Sequence, residues 1–373
     1  MRPRGLGSDI RENRAPHDRS RFLKHLAVHK VADTELQVVS DLESGVQPIV
    51  CIETEVIERY IQDPEWQHGV ITLFVLQDLE PLIRQLSQGG SVPPGGIQAL
   101  KHRPIVNVYD LRNPYSCRIF INQVAMKREG YWDDQLAVRA LLAHEHAHPL
   151  AECATTRSSR CLKVELSSDG LTAQLGDSEV WQGKIDGLLE VMVEKLCLYA
   201  PREVFANEVA IRSGFADALL YLDVQNVNKA AEGLRARQSL SQQLQKQVER
   251  GSLTTEGAHL LLTIADMKGY LDLALETAPF HRQERLTEAE ELEGMLHEKV
   301  IPHLEPAVGR AYQRLRDGYV GLPTDASPRE LAPTVESLVD ILAAALRDKG
   351  LELGYEVGVV TEQEERGYCL EWD

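Results

Sequence analysis

The sequence predicts an α+β protein, predominantly helical, with a small antiparallel sheet packed beside a pair of helices. Two observations carry that prediction. Apolar residues recur at helical spacing through most of the chain after Trp181, and two short runs rich in β-branched residues, Ile105–Tyr109 and Cys117–Ile121, lie either side of a turn. With 373 residues, 43% of them apolar and 26% charged, the chain can bury a sizeable core, and its length is that of two or three domains.

Charge and composition narrow the function classes. A formal net charge of -17 opposes non-specific binding to nucleic acid or to an anionic membrane, so neither is expected as a partner. No apolar run approaches the roughly 20 residues needed to span a bilayer, and Met1–Arg21 is charged where a secretory signal would be greasy. The expectation is a soluble, cytoplasmic protein. Its six cysteines include no CxxC pair, which argues against a structural zinc knuckle, and reduced thiols fit that compartment. The oligomeric state is not legible.

Taken in order, residues 1–21 read as a disordered tail, 22–225 as a first folded domain, 226–250 as an exposed helical connector, and 251–373 as a mainly helical region ending in a strand. Within the first domain, Glu53–Ile61 and Gly69–Leu86 have helical spacing, the latter through Leu73, Leu76, Leu79, Ile83 and Leu86, with Pro81 as a point of division. The glycines of Gly89–Gly96 lack the following Lys-Ser/Thr of a phosphate loop and read as a surface loop. The Ile105–Tyr109 and Cys117–Ile121 runs form a hairpin, whose edge is suited to hold an extended peptide by backbone pairing.

Asp133 and Asp134 are placed to cap the helix that follows. Ala137, Leu141, His144 and His148 then recur at spacings of four, three and four, so the histidines continue a buried stripe. Pro149 puts His148 in the last turn. Downstream, Cys161–Leu166 and Leu171–Leu175 read as a second hairpin around Ser-Ser-Asp-Gly, and Trp181–Leu198 as a helix. Tyr199–Arg202 interrupts it, and Pro201 opens a new helix through Glu203 and Asn207 toward Gly214. Glu256–Leu275 reads as one amphipathic helix, Thr287–Glu290 as a capping box, Gly321–Arg329 as a loop, Thr334–Leu346 as a helix and Leu351–Val360 as a strand, with Tyr368, Leu370 and Trp372 docking a further terminal strand.

The chemistry sits in the HEHAH stretch. His144 and His148, four apart on a helix, present both imidazoles from one face to a common metal ion, and Glu145 lies beside that face as a general base toward a metal-activated water. The bland reading of the same pair is two core or capping histidines. A catalytic zinc takes three protein ligands plus water, and the downstream candidates for the third are Glu190, Glu194, Glu203 and Glu208.

Here the chain resembles the thermolysin-like, or gluzincin, zinc metallopeptidases, whose third ligand is a glutamate on a second helix in an ExxSD or ExxAD setting. Glu203, Ala206 and Asn207 match that form with Asn in place of the final Asp. The resemblance implies a zincin-like two-helix site, with His144, His148 and Glu203 as zinc ligands, Glu145 as general base, and Asn207 where the family has an acid that orients the first histidine. An amide oxygen accepts from the imidazole N–H as a carboxylate does, but brings no negative charge. Glu194 is the second choice of ligand. The reading is a zinc-dependent metallopeptidase acting on a peptide or protein substrate; a different zinc amide or ester hydrolase and a nonenzymatic metal-binding scaffold stay open beside it. Tyr199, Tyr270, His259 and His281 are candidates for an oxyanion donor, and sequence selects none of them.

Overall fold

The computed structural model describes residues 23–80, 83, 102–109, 113–169 and 179–360. The first strands are β1 (Lys24–Val31) and β2 (Thr34–Ser40), antiparallel across a tight turn at Ala32, whose φ of 51° lies in the left-handed region. Helix α1 (Gln47–Tyr60) then crosses to β3 (Val70–Leu76), which pairs parallel with β2. β4 (Ile105–Tyr109) and β5 (Ser116–Asn122) follow as the expected antiparallel hairpin, and β5 pairs parallel with β3. The five strands run in the order β1-β2-β3-β5-β4, so the hairpin is one end of a larger mixed sheet whose inner pairings are parallel. The β2-α1-β3 crossover is what parallel pairing requires, since a short turn cannot return the chain to the same end.

The helix expected over Gly69–Leu86 is a strand in its first part. Ile71, Leu73 and Val75 are each fully buried on one face of β3, while Val70, Thr72 and Phe74 are half-buried on the other. The three-residue step from Leu73 to Leu76 that suggests a helix puts the two on opposite faces of a strand covered on both sides, Leu73 in the main core and Leu76 in the smaller cluster, and the β-branched Val70, Ile71, Thr72 and Val75 favour the strand. The Gly89–Gly96 stretch lies outside the described residues.

The chain continues through α2 (Gln123–Arg128), α3 (Gln135–Leu150) and α4 (Ala154–Arg160) into strand β6 (Leu162–Asp169). Ser167, Ser168 and Asp169, expected in a turn, extend β6, and its antiparallel partner is β7 (Glu352–Val359), from Leu162 opposite Val359 to Asp169 opposite Glu352. The Leu171–Leu175 half of the expected hairpin lies outside the described residues. Leu353 of β7, 5% exposed, anchors the long-range pair in the core.

The rest is helical: α5 (Glu179–Val193), α6 (Ala200–Ala210), α7 (Ala216–Glu249), α8 (Thr255–Tyr270), α9 (Leu273–Arg282), α10 (Leu286–Lys299), α11 (Pro306–Val320) and α12 (Pro328–Arg347). The expected Val227–Arg250 helix is the outer part of α7, which starts eleven residues earlier at Ala216 and carries few buried residues beyond Val227. Glu256–Leu275 is two helices, α8 and α9, broken at Leu271 and Asp272. Thr287 caps nothing: the N-cap of α10 is Arg285, because Glu284, at φ 55°, turns the chain into the helix early. A capping box does open α12, between Ser327 and Glu330. One apolar core runs from Val31 of the sheet to Leu353 of β7, and a smaller cluster of Leu76, Leu79, Ile83, Val106 and Phe120 covers the opposite sheet face. Among the described residues no helix is long and apolar enough to cross a membrane.

Candidate metal centre

α3 starts where its cap dictates. The Asp134 carboxylate accepts from the backbone N–H of Leu136 and of Ala137, each at 3.1 Å, satisfying two of the donors a helix start leaves open. From that start, His144 and His148 fall one turn apart on the face toward α6, with their rings edge-on at 4.6 Å between centroids. Glu145, 8% exposed, follows His144 in the same turn. The helix runs one residue past Pro149, so His148 lies in its last turn.

α6 presents the other half. It opens with Pro201 in its first turn and is bracketed by two wide π turns, Glu194–Leu198 before it and Ile211–Phe215 after it. Gly214, at φ 91°, supplies the left-handed residue the second of these needs. Glu203 and Asn207 are then one turn apart, and between them they hold both nitrogens of a single imidazole. Asn207 Oδ1 is 2.7 Å from His144 Nδ1, and Glu203 Oε2 is 3.2 Å from His144 Nε2. With the amide oxygen as acceptor, Nδ1 carries the ring proton, and the lone pair of Nε2 points toward Glu203.

His144, His148 and Glu203 therefore form a triad whose ligand atoms all lie within 4.8 Å of one another, a His-His-Glu group able to coordinate a metal ion between α3 and α6. Two imidazoles and one carboxylate are the donor set of an open, three-ligand metal site. The tautomer set by Asn207 leaves the correct nitrogen for coordination, which is the arrangement that usually orients metal-bound histidines. The other glutamates considered for the third ligand are engaged elsewhere. Glu194 accepts from Tyr199 Oη at 2.9 Å, Glu208 meets Arg282 and Gln283 at 3.0 and 2.8 Å, and Glu190 is exposed on α5. Of the candidate oxyanion donors, Tyr199 is bound to Glu194, His281 to Glu293 at 2.8 Å, and His259 is half exposed beside Glu305; Tyr270 is buried on α8.

Several residues around the triad are not visible in the motif. His146, the middle histidine of HEHAH, points away from His144 and His148, and its Nε2 lies 2.9 Å from Glu53 Oε1 of α1, both side chains fully buried. Two positions along a helix is about 200°, so the alternation of the three histidines already contains this signal. Tyr60 of α1 donates to the carbonyl of Ala143 at 2.6 Å. Asp223, in the buried stripe of α7 with Leu219, Leu222 and Val227, is a buried acid in an apolar row. Burial pushes its carboxyl well above the usual carboxylate range, and the nearby His144 works in the opposite sense. Glu276 of α9, bonded to Asn226 at 3.0 Å, is likewise pushed up, first by burial and then by Asp223. Asn107, 1% exposed in an otherwise apolar strand, donates from Nδ2 to the carbonyl of Glu145 at 2.7 Å. An asparagine amid Ile105, Val106 and Val108 is the trace it leaves in the sequence.

Comparison of the chain with protein-family models, with curated proteins and with solved structures gives no match, so the metal centre is defined by its own geometry.

Proposed function

We propose that the protein is a zinc-dependent metallopeptidase. The observation that carries this reading is the convergence of His144, His148 and Glu203 from two helices, with Asn207 fixing the tautomer of the first histidine. The donor set, nitrogen and oxygen with three protein ligands, suits zinc. When bound, zinc supplies Lewis acidity and brings the pKa of a coordinated water near neutrality.

The chain's own residues supply the remaining functions. Glu145 stands next to His144 on the same turn and is the carboxylate that takes a proton from the attacking water and passes it to the leaving amine. It does so from a mostly buried position. Asn207 keeps His144 in one tautomer and one ring orientation, so that no reorganisation is needed at the moment of reaction.

The sheet supports a peptide as the substrate class. Among the described residues β4 is the last strand in the sheet order, and Asn107 ties it to the carbonyl of Glu145, so the strand runs beside the helix that carries the base. A terminal strand that pairs with an extended peptide through main-chain hydrogen bonds selects peptides over small esters. The acidic balance of the chain and the lack of a spanning helix among the described residues agree with a peptide or protein substrate reached without membrane or nucleic acid. A cytoplasmic location belongs to the same proposal.

The test has two parts. Purified protein should hold close to one zinc per chain by elemental analysis, and His144→Ala, His148→Ala and Glu203→Ala should each lose it. Against a peptide library, Glu145→Gln should retain zinc and lose about 10²–10⁴-fold in turnover. Full zinc in all three ligand variants removes the metal assignment; undiminished turnover in Glu145→Gln removes the base. Zinc binding without hydrolysis of any peptide, ester or amide leaves the metal-binding scaffold as the surviving reading.

A further inference from the structure

Pro149 creates a defect in α3 at one defined place. Regular i→i−4 pairing assigns the N–H of residue 149 to the carbonyl of residue 145, and proline has no N–H to give. The carbonyl concerned belongs to Glu145, the proposed base. A side chain from another element donates to that same oxygen: Asn107 Nδ2 lies 2.7 Å from it. The contrast with the other side-chain contact to this helix is instructive. Tyr60 also donates to an α3 carbonyl, that of Ala143, but residue 147 is an alanine with its own N–H, whereas Asn107 donates to a carbonyl whose i+4 residue has no N–H.

Asn107 is built for this contact. It shares the α3-facing side of β4 with Ile105 and Tyr109, two residues before and after it, and is 1% exposed. Its amide orientation is set from behind: the fully buried Cys117 thiol of β5 donates to Oδ1 at 3.1 Å, which turns Nδ2 toward the helix. One side chain thereby joins β5, the edge strand β4 and the peptide unit of Glu145.

We infer that Asn107 is a positioning residue for Glu145, replacing the helix hydrogen bond that Pro149 removes and fixing the base relative to β4. This inference rests on the metallopeptidase reading for its consequence in catalysis, but the bond itself has consequences in any reading of the site. The carbonyl of Glu145 lies where the last turn of α3, which carries His148, joins the turn before it, so loss of the Asn107 bond loosens both residues. Pro149 confines the effect to one carbonyl, and restoring an N–H at that position should make Asn107 dispensable.

The experiment is a double-mutant cycle in the full chain with Asn107→Ala and Pro149→Ala, reading zinc dissociation constant by chelator competition, thermal midpoint, and kcat/KM on a cleaved peptide. Asn107→Ala in the natural background should weaken zinc roughly 10-fold and lower kcat/KM roughly 10-fold or more, as expected for a buried acceptor losing its donor and a metal site losing its support. In the Pro149→Ala background the same change should cost less than about threefold in each, because the helix then supplies the donor. A purely structural asparagine would give equal penalties in both backgrounds, and that result overturns the inference. If Asn107→Ala alone is insoluble, recovery of folded protein by adding Pro149→Ala supports it and failure to recover overturns it. Absence of hydrolysis in the natural protein counts against the metallopeptidase reading and leaves the cycle readable through zinc and the thermal midpoint.

Discussion

Asn207 offers the sharpest test of how the metal centre is tuned. Its amide oxygen sits 2.7 Å from Nδ1 of a His144 side chain that is 17% exposed, so the bond is mostly screened from water. A neutral hydrogen bond of this kind contributes about 0.5–1.5 kcal/mol, and leaving a buried N–H without an acceptor raises the loss toward about 1–3 kcal/mol. At about 1.4 kcal/mol per factor of ten, Asn207→Ala should weaken zinc binding about 10-fold, and up to about 100-fold if the imidazole also rotates. Asn207→Asp should act in the opposite sense, because a carboxylate acceptor makes a charge-assisted bond of about twice the strength and adds a negative charge behind the ligand. The assay is competition against a chromophoric chelator at one fixed pH, since zinc and protons compete for the same histidines. The expected order of affinity is Asn207→Asp, then the natural chain, then Asn207→Ala. Natural affinity in Asn207→Ala, or weakened binding in Asn207→Asp, refutes the role assigned to this residue.

Other outcomes follow from the same geometry. Glu194→Ala should keep close to one zinc per chain in elemental analysis whereas Glu203→Ala loses it, because Glu194 is turned to Tyr199; the reverse pattern would exchange their roles. Glu53→Ala leaves the fully buried Nε2 of His146 without its acceptor and should cost about 1–3 kcal/mol in urea unfolding; a change below about 0.5 kcal/mol would show that the pair contributes nothing. Burial, then the charge of His146, holds His68 down to about 4 against an ordinary 6.5, with its bond to the Pro114 carbonyl pulling the other way. His68 is therefore neutral in the fold while the unfolded chain takes up a proton first. Its contribution, about 3 kcal/mol at most, is present above pH 6.5 and is lost as pH falls toward about 4. Unfolding at stepped pH should show a steeper loss in this window for the natural protein than for His68→Gln, and superimposable profiles would remove His68 as the cause.

The sequence by itself determined the parts of this protein that are local. The Asp134 cap, the four-residue spacing of His144 and His148, and Pro149 together set the start, the working face and the last turn of α3, because each acts within a few residues along one backbone. The β4–β5 hairpin, the start of α6 near Pro201 and the terminal strand β7 were legible for the same reason. In Gly69–Leu86 an apolar run covered on both faces carries no clean period, so spacing alone could not separate a helix from a central strand, and burial on both faces of the sheet decided it. Tertiary structure alone decided what lies far apart in the chain. It paired β6 with the distant β7, and it turned Glu203 toward His144 while Glu194 and Glu208 found Tyr199 and Arg282. It also brought Asn107 to the carbonyl that Pro149 cannot serve. The resemblance nominated Glu203 and Asn207, but which carboxylate or amide meets an imidazole is set by direction and distance after packing, and those are properties of the assembled helices.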